Sequence, residues 1–137
     1  MKTTTEQLNL LMAESAKDAI NYVNENFERQ ITLCQEDLDM IDNALAQLAL
    51  QHLQSPLSDE KLYTACSIMG AFVGEVFKQI VGGEWFMDES IPDAPFVVLN
   101  YAGKSFPFAS VCYEKLVNDQ NVSVAKYYEL ALGGLTQ

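Results

Sequence analysis

The chain has 137 residues, 49% of them apolar, and carries 19 Asp and Glu against 8 Lys and Arg, a net charge of −11. That length and apolar share suit one domain, residues 1–137, with a real hydrophobic core. The acidity argues against a basic nucleic-acid-binding surface and against attraction to anionic membrane. No apolar run reaches membrane-spanning length, and the start MKTTTEQLNL lacks the apolar core of a signal peptide.

A first helix is expected from about Thr4 to Glu28. Thr3 and Glu6 have capping-box spacing, although the run Thr3–Thr4–Thr5 leaves the register open. Leu8, Leu11, Met12, Ala16, Ala19, Ile20, Val23 and Phe27 make its apolar stripe. A second helix is expected from about Leu33 to Gln54, capped by Thr32 with Gln35. Leu38, Ile41, Leu45, Leu48 and Leu53 supply its core face. Ser55–Pro56 ends it, because proline disfavours helical backbone before it.

The third helix organises the chain. Ser58 caps it, and Asp59 and Glu60 complement the positive end of its dipole. Leu62, Ala65, Met69, Val73, Val76 and Ile80 share one stripe, widened by Tyr63, Cys66, Ile68, Gly70, Phe72 and Phe77. So broad an apolar arc predicts a central helix covered on most sides. Cys66, Gly70 and Gly74 step by four and leave a ridge low enough for close packing. Gly82 and Gly83 stop the helix, since glycine adopts left-handed backbone easily.

The pattern then turns to strands. Glu84–Glu89 (EWFMDE) and Phe96–Tyr101 (FVVLNY) read as strands, with Pro92–Asp93–Ala94–Pro95 as a turn. Ser105–Phe106 reads as a short third strand. Pro107 opens a helix over Phe108–Val117. Ser123 caps a last helix that runs through Leu132 and closes at Gly133–Gly134. Segregated helices and strands predict an α+β fold, predominantly helical. Three N-terminal helices precede a small antiparallel sheet of two or three strands and two C-terminal helices.

Several blocks resemble a family of small uncharacterised bacterial proteins. Its second helix reads L-D-[YF]-S-x-x-S-[LI]-x-x-[VL]-[DE]; Leu38, Ile41 and Asp42 match, while Thr32 and Cys34 depart from it at a helix cap. Gly70–Ala71–Phe72–Val73–Gly74–Glu75–Val76 follows G-x-[YF]-[LV]-G-E-[VI], and Gly82–Gly83 with Trp85 follows G-G-x-W. Pro107–Phe108 and the pair Tyr127–Tyr128 complete the likeness, which spans roughly Ile31 to Tyr128. The resemblance implies a fold and no catalytic residues. It also implies a setting near toxin systems or on mobile gene cassettes.

The residues show no catalytic constellation. Cys34, Cys66 and Cys112 are far apart and odd in number, neither a disulfide framework nor a metal pattern; free thiols in a reducing cytoplasm are expected. His52 is the one histidine and reads as a partly exposed helix residue. Asp37, Asp39 and Asp42 lack the glycine and final glutamate of a calcium loop. No cofactor is expected.

Contacts to a partner or ligand are expected at five positions. Glu75 and Trp85 meet where the third helix gives way to the first strand, and Glu75 is placed either to hydrogen-bond the backbone near Gly83 to Trp85 or to accept the indole N–H. Glu36, Asp39 and Asp42 lie in a stretch, Gln30 to Glu60, with six carboxylates and no Lys or Arg. The first 60 residues hold eleven acids against three bases, a net of −8. Such a face suits a basic protein partner. Together with what the resemblance implies, the expected function is a non-enzymatic protein-interaction module, of the immunity type or an accessory protein of a mobile gene cassette, with a homodimer left open. The alternative is a small-molecule binder whose pocket near the strands is lined by Phe86, Phe96, Tyr101, Phe106 and Phe108.

Overall fold

The computed structural model describes residues 4–87 and 97–135. The predicted turn at Pro92–Pro95, the end of the first predicted strand at Asp88–Glu89 and Phe96, the first residue of the second, lie outside them.

The observed order is α1 (Thr5–Phe27), a 3-10 turn (Gln35–Asp37), α2 (Leu38–Gln54), α3 (Asp59–Val81), β1 (Glu84–Met87), β2 (Val97–Tyr101), β3 (Lys104–Phe106), α4 (Phe108–Tyr113), a π-helical turn (Glu114–Asn118) and α5 (Val124–Leu135). The α+β arrangement is the predicted one: three helices, a three-stranded antiparallel sheet, then two helices.

Local chemistry fixes the helix ends. At α1 the capping box forms one residue later than Thr3 and Glu6: the Thr4 hydroxyl accepts from Gln7 N at 3.1 Å, and Gln7 Oε1 accepts from Thr4 N at 3.0 Å. At α3, Ser58 Oγ accepts from Lys61 N at 3.2 Å, as expected. Gly82 and Gly83 leave the helix with φ of 93° and 113°, backbone that residues with a Cβ rarely adopt.

Two boundaries differ from the sequence reading. α2 starts at Leu38, not Leu33. The Thr32 hydroxyl does not cap it; instead Asp37 Oδ2 accepts from Thr32 N at 2.9 Å and from the Cys34 thiol at 3.3 Å. Those bonds curl residues 32–37 into a turn that a helix from Leu33 would unmake. α5 runs through Gly133–Gly134 to Leu135. Glycine permits a stop without imposing one, and Ala131 and Leu132 pack against the core there.

α3 is the centre. Ten of its residues are buried, from Leu62 to Phe77. Among the described residues it is the one helix long and apolar enough to cross a membrane, and half of that apolar window is buried within this fold. α1 lies antiparallel along it, since Asn9 meets Lys78 while Tyr22 and Ala65 line one cleft. α4 crosses where Gly70 sits. A Cβ on Gly70 would come within 2.5 Å of the Ala109 Cα, so backbone approaches backbone along the predicted ridge.

The sheet order is β1-β2-β3. Trp85 pairs with Leu99, and Leu99 with Phe106. This cross-strand row is buried and faces the helices. Phe77 of α3 touches it, at 4.9 Å from the Phe106 ring and 5.6 Å from Phe108, and meets Tyr128 of α5 edge-on at 6.2 Å. One phenyl ring thus joins sheet, α4 and α5.

Three leucine-type positions assigned to the core stripes face solvent: Leu11, Leu53 and Ile80 are 52%, 69% and 51% exposed. Leu11 and Leu53 sit at the margins of their helices' apolar arcs, whereas Ile80 is on the central stripe of α3 but in its last turn, and among the described residues these three remain open.

Candidate functional site

Glu75 and Trp85 come together as the sequence predicts. Trp85 is 2% exposed, and its Nε1 donates to Glu75 Oε2 at 2.9 Å. Gly74 makes this geometry available, because a Cβ there would run into the indole ring. Lys78 Nζ stands 3.7 Å from the same Glu75 oxygen, one helical turn along. Asn9 of α1 completes the cluster: its Oδ1 accepts from Lys78 Nζ and from Trp85 N, each at 3.3 Å. The second of these bonds satisfies an N–H on the outer edge of β1, which would otherwise be open to another strand. Asn9 gave no signal in the sequence; its role needs α1 and β1 side by side. The cluster as built braces α1, α3 and β1, holding one carboxylate between an indole and an ammonium.

The acidic stretch divides in two. Glu36 and Asp39 are exposed at the start of α2. Asp42 is not a free surface carboxylate. Its Oδ1 accepts from Val124 N at 2.7 Å, and its Oδ2 accepts from Ala125 N at 3.1 Å and from Ser123 Oγ at 3.2 Å. It thereby caps α5 at the positive end of the helix dipole. Lys115 Nζ lies 3.9 Å from Asp42, with only 9% of its side chain exposed. That ammonium donates to the carbonyls of Gln120 and Val122, at 2.9 and 2.6 Å.

The π-helical turn supplies this lysine. The predicted helix Phe108–Val117 is α-helical only to Tyr113; the widened turn after it buries both Lys115 and Leu116. The sequence offered little signal for this lysine, which follows Glu114, and its acceptors come from a loop no periodicity describes.

The other titratable groups have local tasks. Asp37 is held below the usual carboxylate range, first by the Thr32 N–H and then by the Cys34 thiol and Arg29. Burial pushes the Cys66 thiol up to about 12. Cys112 goes well above its ordinary value, through burial and then the nearby Cys66 and Asp42. His52 Nδ1 accepts from Leu57 N at 3.0 Å and closes the α2–α3 turn. Among the described residues no three His, Cys, Asp or Glu side chains are placed to hold a metal ion.

The aromatic pocket divides as well. Phe106 and Phe108 are core residues packed on Phe77. Phe86 and Tyr101 line an open depression of about 450 Å³ beside the sheet, together with Thr5, Glu84 and Asn100.

No protein-family model matches the chain, and comparison with curated proteins and with solved structures finds no match.

Proposed function

We propose that the chain is a non-enzymatic protein-interaction module acting in the cytoplasm, of the immunity type or an accessory product of a mobile gene cassette. It docks a basic protein partner through the start of α2. The observation that carries this reading is the pair Glu36 and Asp39, both exposed and without an ion pair among the described residues, in a stretch with no Lys or Arg from Gln30 to Glu60. Neither carboxylate serves the fold as Asp42 does. Opposed charge acts mainly on the association rate and fades as salt screens it.

The test is retention of proteins from the native host on the immobilised chain, identified by mass spectrometry, beside the double variant Glu36→Lys, Asp39→Lys. Wild type should retain a basic protein at low salt, more weakly as salt rises, and the variant should lose it while melting like wild type. Recovery of the same proteins by both would show that this face is only solvated surface.

A further inference from the structure

α1 and α3 pack along their lengths, whereas α2 packs chiefly on α5 and the π-helical turn. Where α2 parts from the α1–α3 pair, a cleft of about 530 Å³ opens. Its walls are apolar: Leu48 from α2, Leu57 from the turn, and Ala65, Ile68 and Met69 from α3. Tyr22 of α1 closes one side. The volume falls in the range of small-molecule sites, about 300–1,000 Å³, which are likewise mostly apolar with a few polar groups at fixed places.

Ser58, Glu60 and Lys61 gather at one rim, and Gln51 of α2 and Thr64 of α3 add neutral polar groups to the lining. Lys61 is four residues before Ala65 and seven before Ile68, so the three share a helical stripe. Its ammonium is the one cation lining the cleft, and it makes no ion pair among the described residues. Ser58, three residues earlier, lines the same stripe, and its oxygen already accepts from Lys61 N, which leaves its O–H to donate outward. The Glu60 carboxylate also reaches the rim, but about 100° round the helix from Lys61, at the cleft's margin. Lys61 and Ser58 therefore place an ammonium and a hydroxyl donor beside the apolar walls, with the Glu60 carboxylate set off to the side.

We propose that this cleft binds a small amphipathic carboxylate, a medium-chain fatty acid in chemical class. The alkyl chain lies between Leu48, Ile68 and Met69, and the carboxylate meets Lys61 and the Ser58 hydroxyl. The site is separate from the acidic docking face, and its test does not touch that face.

Decanoate, decan-1-ol and decylammonium, each kept below micelle formation, are the probes, titrated into the full chain by NMR. Decanoate should saturate with Kd under about 1 mM, moving signals of Tyr22, Leu48 and Ile68, and should bind more tightly than the other two. Lys61→Gln, on the exposed rim, should weaken decanoate about tenfold and leave decan-1-ol unchanged. Ala65→Phe, which fills the cleft, should weaken both. Decylammonium binding as tightly as decanoate would overturn the proposal. So would decanoate failing to saturate, or binding Lys61→Gln as it binds wild type; the second result holds even if Ala65→Phe misfolds.

Discussion

Asp42 Oδ1 accepts the amide of Val124 at 2.7 Å, so the first turn of α5 hangs on a carboxylate 82 positions earlier in the chain. The same carboxylate faces the buried Lys115 ammonium. An acid that reads from sequence as spare surface charge is thus a fastening between α2, the π-helical turn and α5.

Asp42→Ala should therefore destabilise the protein. It removes a helix cap, worth about 1 kcal/mol, and leaves Lys115 without its carboxylate. Because that pair is partly solvated at 3.9 Å, a total of about 2–3 kcal/mol is expected, a fall in Tm of roughly 5–10 °C. The double variant Glu36→Lys, Asp39→Lys should melt within about 0.5 kcal/mol of wild type. Thermal and urea melts of the two variants check the contrast; equal melting would show that Asp42 fastens nothing.

Gly74→Ala should destabilise by about 1–3 kcal/mol through overpacking against the Trp85 indole. In an open helix the same change would stabilise by about 1 kcal/mol. Direction alone decides, and urea midpoints read it. Gly70→Ala should behave alike, because its added carbon meets the α4 backbone. Gly74→Leu should be worse than Gly74→Ala.

Trp85, 2% exposed, should emit at a shorter wavelength in the native protein than in urea. Glu75→Ala leaves the buried indole N–H without its acceptor and should cost about 1–2 kcal/mol. Glu75→Gln retains an acceptor oxygen and should lose less. Equal losses in the two variants would mean that the 2.9 Å bond contributes nothing to stability.

The thiols set a pH dependence. Burial raises Cys66 from 9.0 to about 12 and moves Cys112 the same way. An acid raised in the folded state stabilises the fold fully below its unfolded value, and that contribution disappears as pH climbs toward the folded value. Half-buried Tyr22 and Tyr127 and buried Tyr128 shift in the same direction from 10.0. Urea midpoints should accordingly fall above about pH 9. At pH near 8, an aromatic disulfide reagent should label Cys34, the half-buried thiol, well before Cys66 and Cys112, which need unfolding. Cys34→Ser should abolish the fast phase; fast labelling of all three in native protein would contradict the buried placement.

The sequence by itself determined the element order, the centrality of α3 and the Glu75–Trp85 contact. All three rest on short-range rules. Helical period marks the apolar arcs, Ser58 and Gly82 mark the ends of α3, and a glycine next to Glu75 leaves room for an indole ten residues on. Tertiary structure alone decided which residues at the arc margins and helix ends are covered, which is why Leu11, Leu53 and Ile80 lie open. It also decided what the polar side chains do. Asp42 and Asp39 look alike along the chain, yet one caps a distant helix and the other faces water. Asn9 has its donors, and Lys115 its carboxylate, on elements far away in sequence. A hydrogen bond needs its partner within about 3 Å, and no pattern along the chain states which element the fold will bring that close.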